Sequence, residues 1–209
     1  MAMLAAVFVP STERSLDGFR FVRGVEAFDL SAGAPHPPGY PLFLAPAKLL
    51  HELIGLQAST SLSVVSLVGL LLLVWATFEL GKDLGGRVLA RLSVGALAMS
   101  PILLLMSVRP MSDVFGAGIG WGLVVLSLRR WAKPALMGLG FGLLAGVRPS
   151  VLPLVFPAMA WLAVKRSAWL SWLLGSLGGC LIWAVPLALV AGPDVLWSRS
   201  SEHLLGHFS

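Results

Sequence analysis

Residues 61–78 read SLSVVSLVGLLLLVWATF, eighteen consecutive positions without a charge, most of them Leu, Val or other apolar residues. Such a run predicts a membrane-crossing helix, because a stretch of about 18 or more apolar residues is what the hydrocarbon core of a bilayer accommodates. The rest of the chain agrees. Its 209 residues are 57% hydrophobic and 12% charged, with mean hydropathy +0.87. A soluble domain carries about 25% charged residues, so this chain has too few to cover its surface. The pI near 10.1 comes without basic runs interleaved with aromatics. The basic residues therefore read as topology anchors and predict no nucleic-acid partner. The single Cys180 allows no internal disulfide.

Further uncharged runs follow at 92–108, 114–128, 134–147, 149–164 and 167–193. The segment 2–10 is apolar but short and lacks the basic start of a signal peptide, and reads as the end of a first helix whose beginning is missing. The expected fold is all-α: a polytopic transmembrane helix bundle forming a single module over 1–209. Within it, 2–10 is a truncated first helix, 11–60 an outer loop carrying two surface helices, 61–191 six membrane helices, and 194–209 the start of a second outer loop. The surface helices are placed at 15–28, where Leu16, Phe19, Val22 and Val25 recur at three-residue steps, and at 40–54, an interfacial segment.

The loops give sidedness. Basic connections at 81–87, 129–133 and 165–166 fall on one side, which the positive-inside rule makes cytoplasmic. Eight of ten acids (Glu13, Asp17, Glu26, Asp29, Glu52, Asp113, Asp194 and Glu202) and all four histidines fall on the other. A bundle without a site has no reason to collect its titratable groups on one face.

Several residues on that face have two readings. In APHPPGYPLF (34–43) the prolines fix φ and exclude helix, so the segment is a stiff strut; His36 is either held toward a cavity or merely solvated in a turn. Asp17 is a catalytic carboxylate or a helix-start acid favoured by the dipole after a Ser15 cap. Asp113 lines a site or, like Ser112, caps a helix. Arg148 sits in GVRPS (146–150), between two apolar pieces each too short to span comfortably. An arginine buried there costs about 2.5–3.5 kcal/mol and needs a partner, unless it snorkels to the interface. The recurrent glycines are read as close-packing positions. The prolines at 149, 153 and 157 predict a kinked or partly unwound helix. His203 and His207 after Glu202 have the i, i+4 spacing of a metal pair but lack the internal Glu of HExxH and an evident third ligand, so no metal is assigned.

Taken in order, LDGFRF (16–21), PHPPGYPL (35–42), RPMSD (109–113) and GVRPS (146–150) resemble the GT-C superfamily of polyprenyl-phosphate-sugar-dependent glycosyltransferases. The nearest branch is that of bacterial proteins related to protein O-mannosyltransferases. The resemblance implies a seven-helix module with two surface helices in its first outer loop, here 2–10, 61–80, 88–107, 113–128, 134–147, 149–164 and 168–191. It implies sugar transfer from a polyprenyl-phosphate donor on the outer face of the plasma (inner) membrane, with membrane lipid and the lipid-linked sugar as partners. Asp17 takes the position of the general base. His36, Tyr40, Arg109, Asp113 and Arg148 become substrate-binding residues, the arginines toward phosphate. Where family members have two adjacent acids, Gly18 follows Asp17, so Glu26 or Asp29 becomes the possible acidic partner. No cofactor is assigned, though a divalent cation fits the resemblance. The alternative readings are a non-catalytic or fragmentary protein of the same fold, and a lipid or solute transporter.

Overall fold

The computed structural model describes residues 15–129 and 131–206, with Ser200 and 203–206 as backbone only. The expected helix at 2–10, Glu13, Arg130, the His203 side chain and His207 lie outside the described residues.

The described residues are all-α, with one isolated bridge, Asp29 to Ala34. Nine helices follow in order: α1 Leu16–Glu26, α2 Pro41–Ile54, α3 Ala58–Ala98, α4 Pro101–Ser107, α5 Asp113–Leu128, α6 Pro134–Val147, α7 Leu152–Lys165, α8 Trp169–Ala191 and α9 Pro193–Gly206. α3 and α8 are long and apolar enough to cross a membrane.

α3 folds back on itself. Gly86 has φ +73°, a conformation that glycine adopts without penalty, and a side chain at Gly81 would come within 2.7 Å of the Ala90 Cα. Nine residues of straight helix would separate these positions by about 14 Å. The basic connection expected at 81–87 is thus a hairpin between two helical arms. The second arm departs from expectation. The predicted 88–107 helix breaks at Ser100, which is extended (φ −83°, ψ 103°) and caps α4 by accepting from the Leu103 N–H at 3.4 Å. The cause is Pro101, whose ring disfavours helical geometry in the residue before it.

Helix directions follow from cross-contacts. Ser66 Oγ donates to the Met111 carbonyl at 2.7 Å, and Arg129 at the far end of α5 reaches Glu79 and Asp83, each at 2.8 Å. The first arm of α3 and α5 therefore run parallel. Gly116 lies against Arg148 and Gly140 against Leu123, so α6 runs antiparallel to α5. α6 and α8 run parallel in close contact: added side chains at Gly138 and Gly142 would strike the carbonyls of Trp172 and Ser176. These are the glycines read from sequence as packing positions.

The result is two chemically distinct ends. One holds Glu79, Lys82, Asp83 and Arg129, with Arg166 donating to the carbonyls of Ser127, Arg129 and Ala132 at 2.9–3.0 Å. The other holds α1, α2, the 27–40 strut, the α6–α7 junction and α9. A 3₁₀ turn, Pro149–Val151, opens α7, as the proline spacing predicts.

α1 turns a different face inward from the one its three-residue steps suggested. Gly18, Phe21, Gly24 and Val25 are buried, while Leu16 and Phe19 are exposed. The inward stripe follows the 3–4 spacing of a helix face. Phe21 and Val25 join Tyr40, Phe43, Leu44 and Ala47 over Ala58, Leu62 and Val65 of α3.

Candidate functional site

The aromatic core under α1 supports the site. Phe21, His36 and Tyr40 form a triangle with ring centroids 4.9–5.1 Å apart, and Phe43 stacks edge-on to Phe21 at 5.3 Å. The strut that delivers His36 contains cis peptide bonds at Ala34–Pro35 and Pro37–Pro38. It ends at Tyr40, which takes the left-handed conformation (φ 46°, ψ 46°) immediately before Pro41 starts α2. A non-glycine residue pays roughly 1–2 kcal/mol for that geometry. Here the ring contacts hold it in place.

Asp17 lies in the first turn of α1, after Ser15, whose hydroxyl accepts from the Gly18 N–H at 3.1 Å. The helix-start role is therefore real. So is the second one: Asp17 Oδ1 is 3.8 Å from His36 Nδ1, with the carboxylate 51% exposed and the imidazole 7% exposed. That separation is longer than a hydrogen bond, as catalytic pairs often are before substrate closes them up.

Tyr40 links this pair to the arginine. The Arg148 guanidinium lies 5.9 Å from the Tyr40 ring centroid, within cation–π range. Burial pushes the Tyr40 phenol above its ordinary value of 10.0; Arg148 pulls it back, and Asp17 and Asp113 push it further up.

Arg148 has its partner within the protein. Its Nη2 meets Asp113 Oδ1 at 2.8 Å, Nη1 donates to Ser112 Oγ at 2.8 Å, and Nε donates to Ser150 Oγ at 3.1 Å. Ser112 stands at the N-cap of α5 but makes no side-chain cap, its hydroxyl facing Arg148 instead, while Asp113 sits in the first turn of that helix. Of the five N–H donors of a guanidinium, these contacts occupy three and leave two. An incoming anion would share Arg148 with Asp113.

The remaining candidates stand apart. Arg109 is half-buried in the α4–α5 connection and makes no ion pair among the described residues. Glu26 is exposed at the end of α1. Asp29 organises the strut's turn: its Oδ1 accepts from Ser31 Oγ at 2.6 Å, the Ser31 N–H at 2.9 Å and the Ala32 N–H at 3.2 Å. The Ser31 hydroxyl, then the Ala32 N–H, hold its carboxyl below the usual range.

Sequence reasoning missed Ser112 and Ser150 as ligands of Arg148, and Arg199 of α9, which donates to the Ser31 carbonyl at 2.8 Å. The two serines flank residues already singled out; Arg199 has no local signal, being 168 positions from its acceptor. Comparison of the chain with protein-family models, with curated proteins and with solved structures returned no match.

Proposed function

We propose that this protein is a multi-pass membrane glycosyltransferase of the GT-C type, moving a sugar from a polyprenyl-phosphate donor to an acceptor on the outer face of the plasma membrane. One observation carries the reading: Asp17, His36, Tyr40, Arg148 and Asp113, drawn from α1, the strut, α5 and the α6–α7 junction, form one continuous chain of contacts at a single end of the helices.

The membrane setting draws support from α8. Only 11% of its most apolar 18-residue window is buried within the protein, and Leu174, Leu177, Leu181, Ile182 and Leu189 are exposed. Apolar surface of that extent needs lipid or a partner to cover it. Exposed Trp131, Trp161 and Trp169 gather at the Arg129–Arg166 end, where an interfacial aromatic belt would lie.

The reaction is a single inverting displacement. An acceptor hydroxyl attacks the anomeric carbon, the bond from that carbon to the phosphate oxygen breaks, and the lipid phosphate leaves with the electron pair. Asp17 takes the hydroxyl proton. His36, whose ring is fixed by Phe21 and Tyr40, orients the acceptor beside it. The two open N–H donors of Arg148 meet the charge developing on the phosphate. The test is transfer from a polyprenyl-phosphate sugar in proteoliposomes. Unchanged transfer in both Asp17→Asn and Arg148→Ala would overturn the proposal.

A further inference from the structure

Beside the Asp17–His36 pair lies a polar cavity of about 380 Å³ that the mechanism above leaves unused. Three segments wall it, the last far from the others in sequence: Arg20 from α1, the turn Leu30 to Gly33 with His36 and Pro37 from the strut, and Arg199 with Glu202 from α9. Its size falls at the lower end of small-ligand pockets, about 300–1,000 Å³.

The cavity's charge is unbalanced. Arg199 directs Nη2 at the Ser31 carbonyl (2.8 Å) and Nη1 at Glu202 (3.1 Å), so one carboxylate answers one guanidinium. Arg20 is the excess: among the described residues it makes neither an ion pair nor a side-chain hydrogen bond, and none of them but Glu202 brings an acid to the cavity wall. The wall thus combines one uncompensated guanidinium, a second with spare donors, an imidazole and a carboxylate. Such a set suits a hydrophilic ligand bearing one anionic group, with the Glu202 carboxylate able to accept from its hydroxyls as well. Neither Tyr40 nor Arg148 lines the cavity. His36 is the wall it shares with Asp17.

We infer that this cavity binds a sugar carrying a phosphate or a carboxylate, gripped by Arg20 and Arg199. Resting on the glycosyltransferase reading, that sugar is the acceptor: its hydroxyl lies beside Asp17 and its anion points away from the donor phosphate at Arg148.

Titration calorimetry on the full chain in nanodiscs, using glucose 6-phosphate, glucuronate and glucose as probes, tests this. Either anionic sugar should bind at least about tenfold more tightly than glucose, the factor expected from one charge-assisted hydrogen-bonded contact. Arg20→Gln and Arg199→Gln should each remove about that factor, and Arg148→Gln should leave it in place. Arg199→Gln also loosens the tie to Ser31, so Arg20→Gln, which breaks no ion pair or side-chain hydrogen bond among the described residues, is the decisive variant. Equal affinity for glucose, no binding of either anion, or an unaffected Arg20→Gln would overturn the inference. Anionic-sugar binding by a protein that transfers nothing would sink the enzyme reading alone. Transfer without anionic-sugar binding would sink the cavity assignment alone.

Discussion

Asp113 and Arg148 meet at 2.8 Å across the gap between the start of α5 and the end of α6, with Ser112 and Ser150 completing the guanidinium's contacts. The pair does two things. It joins the parallel α3–α5 unit to the α6–α8 unit, and it holds a cation 5.9 Å from the ring of Tyr40.

Breaking one half of this pair should cost more than removing both. Arg148→Met strands a carboxylate, and because Asp113 is 40% exposed the loss should be about 1–3 kcal/mol, below the full penalty for a buried pair. Arg148→Met combined with Asp113→Leu should recover part of that. Denaturation midpoints in detergent read the difference; a double-variant loss equal to the sum of the Arg148→Met and Asp113→Leu losses would show that the pair is not coupled.

The glycines divide into two kinds. Gly142→Val would push methyl groups into the Ser176 carbonyl and should destabilise by about 1–3 kcal/mol or more. At Gly95, within α3, nothing lies within 4 Å of an added Cβ. Gly95→Ala should therefore stabilise, by up to about 1 kcal/mol. Opposite signs in the same thermal assay are the expected outcome.

Asp17→Asn keeps the shape of the helix start and removes the carboxylate proposed as the base. Transfer should fall about 10²–10⁴-fold in kcat with KM little changed. A rise in KM at constant kcat would instead make Asp17 a binding residue.

The Asp29 turn should be acid-sensitive. Its folded-state pKa lies below the ordinary 3.8, so its stabilising effect is full above that value and is lost as pH falls through the lower, folded one. Amide exchange at Ser31 and Ala32, corrected for its intrinsic pH dependence, should quicken below pH 3.8. In Asp29→Ala it should be fast at every pH.

Much of this architecture was legible in the sequence because it rests on local rules. Uncharged runs marked α3, α5, α6, α7 and α8, the prolines marked the strut, and the basic connection at 81–87 marked the place of the Gly86 hairpin. The sorting of acids to one end followed from which loops are basic. The break at Ser100 was also local, since Pro101 signals it; the hydropathy of the surrounding run hid it. Long-range pairings had no such signal. The inward face of α1 is set by what Phe21 packs against, and the Arg199–Ser31 and Arg148–Asp113 contacts exist only once the helices are assembled. Asp113 looked like a cap because a first-turn acid has two uses, and only the position of Arg148 decides between them.

Tyr40 is the only tyrosine in the chain, so the near-ultraviolet absorbance of tyrosinate reports on this one residue, placed between Asp17 and Arg148. A spectrophotometric pH titration of the folded protein should give a midpoint above the 10.0 of an unperturbed phenol. Stability tied to this group is then complete below that value and fades as pH climbs through the raised midpoint. Arg148→Met should move the midpoint further up and Asp17→Asn should move it down. A midpoint that matches the denatured chain and ignores both substitutions would mean that these residues do not share a site.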